Sequence, residues 1–532
     1  MPENHSRANR DVQFDTRSTG NHRQDPPKLW HGNRIAPSSP QAGEAVTATV
    51  TAGIDVSIHQ MVIRYTLDGT LPDASSAAIP LALTTPRWDV SAGGYVEDWS
   101  ATIPGQDNGV LVHYRIQALT DLGIELWADS GDGSGDAGLF GYEVGQGTPP
   151  SWLRQAVIYE VSVDSFAPDP GKTFRQHDAR DESWGGTFKG LTAHLDHITD
   201  LGATAICLTP IFSPRQNDAT SCTEIDPNLG SEHDLISLIE TAHSQNLRVL
   251  MGLPTGKPMT DAALYWLDRG VDGFRLSDSD KLSPAFLAGF RRMLRAVKPD
   301  VTIIGEVNER ADTMASFNGR LDGTVDYLLQ QQLHAFIALD QTNAADFWRF
   351  LSRHLAWMPA NLTLPSVLDK PNMNRFLWSA QSDKRRLKLA ALIQFALPHP
   401  PIIHYGTEVG LDEDPVVGQP GDSHRMEGSH PPMRWGANQD RDLRSFYRAL
   451  VFWRKSQHIH VNSPAHVYAG DNGLLCFRTG EWFVVINRSG EDTAIDFQEH
   501  GEVWLALGTE FDVQLHGSAI QLPPMSGAIL RG

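Results

Sequence analysis

The chain has 532 residues and a formal net charge of −20, with 40% hydrophobic and 20% charged residues. That is an ordinary globular composition, long enough for about three to four domains. The negative field disfavours nucleic acid and membrane surfaces as partners, and neutral, hydroxyl-rich ligands fit better.

Residues 1–40 are polar, without periodicity, and read as a disordered tail. They contain no apolar stretch of the secretory type, and no run of about 18 apolar residues occurs anywhere. The default expectation is a cytoplasmic protein. Cys207, Cys222 and Cys476 are scattered and form no C-x-x-C pair, so no disulfide framework, metal site or cofactor is expected.

Residues 41–148 carry a period of two. Val46, Ala48 and Val50 alternate with threonines, Ile63 and Tyr65 with Val62 and Arg64, and Val112, Tyr114, Ile116 and Ala118 follow the same rhythm. Turn pairs such as Asp68-Gly69 and Pro104-Gly105 separate the runs, which predicts a small antiparallel β-sandwich. Trp88, Trp99 and Trp127 lie within it and are candidates either for core packing or for stacking on a pyranose. Gly145 to Ser151, with Pro149-Pro150, reads as a linker.

Residues 152–457 alternate between strand and helix. Strands are expected at 156–163, 203–208, 247–253, 271–276, 301–307, 363–368 and 401–405. Helices are expected at 234–245, opened by Ser231 and Asp234, and at 261–269, closed by Gly270. The alternation predicts a parallel sheet whose length suits a (β/α)8 TIM barrel, with an open doubly wound sheet as the alternative. Residues 458–532 return to short strands and form a C-terminal β-sandwich domain.

Several segments, in barrel order, resemble the α-amylase family (glycoside hydrolase family 13). They are Ala156-Val-Ile-Tyr-Glu-Val-Ser-Val-Asp-Ser-Phe166, Gly186-Thr-Phe-Lys-Gly190, Leu201-Gly-Ala-Thr-Ala-Ile-Cys-Leu-Thr-Pro-Ile-Phe212 and Gly273-Phe-Arg-Leu276. Further along come Gly305-Glu306-Val307, Met373-Asn-Arg-Phe-Leu-Trp378 and Pro401-Ile-Ile-His-Tyr-Gly-Thr-Glu-Val-Gly410. The resemblance implies action on α-glucosidic bonds with retention, which requires two carboxyl groups about 5–5.5 Å apart. It also implies an α-glucan or maltooligosaccharide as ligand. A second copy of the chain, forming a homo-oligomer, is a further candidate partner.

The same resemblance assigns the site and marks its gaps. Glu306 matches the acid/base glutamate. The family's Gly-Phe-Arg-x-Asp reads Gly273-Phe274-Arg275-Leu276-Ser277 here, so Ser277 stands at the nucleophile position. The family's Leu-Asp-Asn-His-Asp reads Leu368-Asp369-Lys370-Pro371-Asn372, so Asn372 stands at the third-carboxylate position. The strand-three motif is replaced by Gly252-Leu-Pro-Thr-Gly-Lys257, too short for the family's inserted subdomain and lacking its usual calcium-ligating Asn. Asn217-Asp-Ala-Thr-Ser-Cys222 replaces an aromatic stretch. Tyr159, Arg275 and His404 remain as expected substrate-binding positions.

Three readings follow. The first is a catalytically inactive or strongly impaired glucan-binding homologue. The second is an active retaining hydrolase or transferase with another nucleophile, Asp278 or Asp280. The third is a structural or regulatory partner protein that has left sugars altogether.

Overall fold

The computed structural model describes residues 29–53, 56–89, 93–129, 138–145, 147–175, 183–212, 222–256, 259–370, 374–412, 431–457, 459, 464–470, 473–498, 502–510 and 512–532. The stretches 217–221 and 371–373, with Asn372, and Lys257 therefore lie outside the described residues.

The amino-terminal region forms two five-stranded antiparallel sheets. Leu29–Trp30, Val46–Ala52, Gly94–Ile103 and Ala82–Asp89 pair in that order, with Ile35–Ala36 on Val46–Ala52. Facing them are Phe140–Glu143, Leu111–Thr120, Ile58–Thr66 and Ala77–Pro80, with Glu125–Trp127 on Leu111–Thr120. The alternation works as expected: Val46, Ala48, Val50, Val112, Tyr114, Ile116 and Ala118 are all buried between the sheets. Trp99 packs against this core, whereas Trp88 is 57% exposed and meets Tyr95 edge-on.

The predicted tail runs too far. Residues 29–40 belong to the sandwich, with Leu29 and His31 buried in it. Their polar composition hides this, because His31 is satisfied locally. Its Nδ1 faces Thr49 O at 2.7 Å and its Nε2 faces the Tyr114 hydroxyl at 2.8 Å.

Burial pushes the His31 imidazole down from 6.5 to about 3. The unfolded chain takes up this proton near pH 6.5, and the native chain does so only near pH 3. The stabilisation is therefore complete above about pH 6.5 and fades as pH falls towards 3, by about 1.4 kcal/mol per pH unit. Urea midpoints of the whole chain, taken between about pH 6.5 and pH 4.5 at fixed ionic strength, are expected to fall more steeply for the parent than for His31→Gln. Equal slopes would refute this.

The central region is the predicted barrel. Its strands are β1 (Ile158–Val161), β2 (Ala205–Leu208), β3 (Arg248–Leu253), β4 (Gly273–Leu276), β5 (Thr302–Gly305), β6 (Gly323–Thr324), β7 (Ser366–Val367) and β8 (Pro401–His404). All pair in parallel, in the order β6-β5-β4-β3-β2-β1-β8-β7. The remaining seam is closed by Thr324 N–H donating to Thr363 O at 3.0 Å and Asp326 N–H to Pro365 O at 2.9 Å. The open-sheet alternative is thereby excluded. β6 escaped prediction because its start reads as an Asp322-Gly323 turn.

The helix Glu232–Ser244 opens with a capping box formed by Ser231 and Asp234. Helix Met259–Asp268 begins shortly after β3 ends at Leu253, so β3 leads into its helix through a short loop. Gly270 takes φ +98° behind it, a left-handed turn that favours glycine.

Barrel and sandwich are docked by buried polar groups. Arg320, 1% exposed, donates from Nε to Gly141 O at 2.8 Å and from Nη2 to Asn33 Oδ1 at 3.0 Å. Gly141 is required there, since a Cβ would lie 2.9 Å from the Ala285 Cα. A helix, Arg441–Ser456, follows the barrel and leads to the C-terminal domain. That domain consists of a five-stranded and a three-stranded antiparallel sheet. Among the described residues, no helix is long and apolar enough to cross a membrane.

Candidate functional site

The site follows from strand periodicity. Along β1, Ile158 packs in the cluster inside the barrel, while Val157, Tyr159 and Val161 pack in the shell between strands and helices. Glu160 therefore faces inward with Ile158. The same parity holds on β4, where Phe274 and Leu276 join the outer shell and Arg275 turns inward. On β5 and β8, Ile304 and Ile402 lie inside, which places Glu306 and His404 on the inner side as well. All of these lie at or near the C-terminal strand ends, where barrels of this type carry their sites.

Arg275 organises the centre. Its Nε lies 2.8 Å from Glu306 Oε1, its Nη1 is bonded to Glu160 Oε1, and its Nη2 is 3.5 Å from the Tyr327 hydroxyl. His404 Nδ1 meets the other Glu160 oxygen at 2.9 Å. Glu160, Arg275 and His404 are all buried, whereas the Glu306 side chain keeps 32% exposure. Burial would lower the guanidinium's pKa, but Glu160 and Glu306 hold it well above its ordinary value. Burial also pushes the Cys207 thiol, inside the barrel, up to about 12, leaving it protonated and unreactive.

Glu306 follows β5 and is fixed by its backbone, with N–H to Leu276 O at 2.8 Å and its own O accepting from Ser279 N–H at 3.1 Å. Ser277 follows β4 and is partly exposed, with its N–H towards Leu253 O at 3.4 Å. Asp278 does not share its direction. Its backbone is left-handed at φ 48°, and its exposed carboxylate pairs with Lys281 at 3.0 Å. Asp280 is also exposed, and lines a cavity of about 390 Å³ between sandwich and barrel.

Asp369 serves the loop after β7. Its Oδ1 accepts from Phe376 N–H at 2.5 Å, and its Oδ2 accepts from the Thr407 hydroxyl. Lys370 places its ammonium 4.5 Å from the Tyr327 ring centroid. Asn372 itself is outside the described residues.

Two substrate-binding expectations need revision. Tyr159 has no exposed surface; its ring lies on the helix side of the strand wall, and its hydroxyl donates to Glu408 Oε1 at 2.8 Å. A position one residue out of the inward parity cannot reach the barrel mouth. His404 is inward but 2% exposed and occupied with Glu160. Sequence reasoning passed over Glu160 and Tyr327. For Glu160 the signal was available: a charged residue at the inward parity of an otherwise apolar strand.

The chain matches the sequence pattern described as "Alpha amylase, catalytic domain" over residues 160–254 and 255–458. Neopullulanase 2 of Thermoactinomyces vulgaris is 26% identical over 477 residues, spanning 72% of this chain and 78% of that protein. A cyclomaltodextrinase structure aligns over 94% of this chain and 99% of its own, with a TM-score of 0.61 at 21% identity. The cyclic α-maltosyl-(1→6)-maltose hydrolase of Arthrobacter globiformis, solved in complex with maltose, aligns over 72% of this chain and 100% of its own. Its TM-score is 0.60 at 22% identity. The two structures share the fold.

Proposed function

Because this chain belongs to the α-amylase family, we propose that it is an α-glucan-binding homologue of the family's hydrolases that does not cleave by their two-carboxylate route. The observation that carries this reading is the residue at position 277. A hydroxymethyl group is neutral near pH 7. It cannot stabilise an oxocarbenium ion as a carboxylate does, and it attacks only with an adjacent base. The nearest acid in the chain, Asp278, is turned away and paired with Lys281. The one inward imidazole considered as a base, His404, is committed to Glu160.

What survives is suited to binding. The partly exposed Glu306 carboxylate accepts hydrogen bonds, and sugar hydroxyls donate them. The connection between Leu253 and Met259 is too short to carry an inserted subdomain after β3. The maltose complex of the Arthrobacter protein and the names of the other relatives support α-glucans as the ligand class.

The test is incubation with maltooligosaccharides and an activated aryl α-maltoside at high protein load, alongside affinity electrophoresis in α-glucan gels. Retardation without release of reducing sugar is the expected result. Turnover above about 1 s⁻¹ that disappears in Glu306→Gln would overturn the claim of lost cleavage. Unchanged mobility with every α-glucan would overturn the claim of binding.

A further inference from the structure

We propose that Glu160 is a positioning residue that takes the place of the missing acid at 277 as counter-ion of Arg275, and through Arg275 fixes the carboxylate of Glu306. This deepens the reading above and rests on its placement of Ser277. It does not depend on whether any cleavage remains.

Arg275 and position 277 are two residues apart across the end of β4, so they share the inward side. Position 277 supplies no charge, yet Arg275 is buried and needs one. Glu160 reaches it from β1, on the far side of β2 and β3 in the sheet order. A guanidinium is a planar fork that holds carboxylates at separate edges. Here Nη1 bonds to Glu160, and Nε lies 2.8 Å from Glu306 Oε1, an ion pair whose angles fall short of a hydrogen bond. Behind Glu160, its register partner His404 holds the second carboxylate oxygen. The result is a brace of four side chains, His404, Glu160, Arg275 and Glu306, running from β8 through β1 and β4 to the end of β5.

In this arrangement a carboxylate at 277 would be the third acid directed at one guanidinium. Like charges crowded at a buried cation repel, so the added acid destabilises as long as Glu160 is charged. With Glu160 neutralised, the same acid supplies the missing charge. The effect of one substitution should therefore change sign with the identity of residue 160. A role for Glu160 in packing alone would leave the two effects additive.

The experiment is a thermal-midpoint cycle on the full chain, with Ser277→Asp compared against the neutral control Ser277→Asn. In the parent, Ser277→Asp is expected to melt about 3–6 °C below Ser277→Asn. In the Glu160→Gln background, Ser277→Asp is expected to melt above Ser277→Asn. Overlapping midpoints for the two substitutions in the parent, or the same sign of difference in both backgrounds, would overturn the assignment. If Glu160→Gln alone does not fold, recovery of folded protein on adding Ser277→Asp supports it, and failure to recover overturns it. Cleavage assays test the parent reading separately, so failure of one is distinguishable from failure of the other.

Discussion

Arg275→Met is expected to cost about 3–5 kcal/mol of stability, the range for removing one partner of a buried ion pair. Glu160 is 2% exposed and directs one oxygen at this guanidinium. Methionine fills much of the volume but leaves the carboxylate facing an apolar neighbour. Removing both charges together, in Arg275→Met with Glu160→Leu, should cost less than Arg275→Met alone. Denaturant midpoints read both effects. A single-variant loss below about 1 kcal/mol would show that water or a neighbouring cation reaches Glu160.

The second large effect lies where the linker meets the barrel. Asp322, fully buried before β6, accepts from Arg291 Nε at 3.1 Å and Nη2 at 2.8 Å, and from Arg295 Nη2 at 2.7 Å. Its other oxygen accepts the Ile303 N–H at 2.9 Å, anchoring β5. The two arginines also hold Thr148 O in the linker, at 3.3 and 3.0 Å. Asp322→Asn keeps the shape but removes the charge and turns an acceptor into a donor facing guanidinium protons. The expected cost is again about 3–5 kcal/mol, with faster proteolysis in the linker around Thr148. A midpoint within about 1 °C of the parent, with an unchanged cleavage pattern, would refute this.

Periodicity explains what was legible in the sequence. Seven barrel strands, the Ser231–Asp234 cap and the alternating sandwich strands all advertise themselves through spacing. β6 does not, because Asp322-Gly323 reads as a turn, and Thr363 and Pro365 complete its pairing from far along the chain. Residues 29–36 looked like tail because His31, Asn33 and Arg34 are polar; their partners, Tyr114, Arg320 and Thr51, are supplied only by the fold. In the site, motif matching put Glu306, Arg275 and Ser277 at neighbouring strand ends. It carried Tyr159 over without asking which way β1 faces. Counting parity from Ile158 would have exchanged Tyr159 for Glu160.

The clasp between Asn33 and Arg320 also has a bearing on biosynthesis. The two side chains are 287 positions apart, and Asn33 also donates to Ser316 O across 283 positions. At ribosomal speeds of about 5–20 residues per second, Asn33 emerges tens of seconds before its partners exist. Until then the Asn33 side chain has neither Ser316 nor Arg320 to bind, and the face of the sandwich that docks on the barrel stays open to solvent. Codon-level pauses between the two positions would lengthen this exposure, and a co-translational yield that drops with them would be its trace.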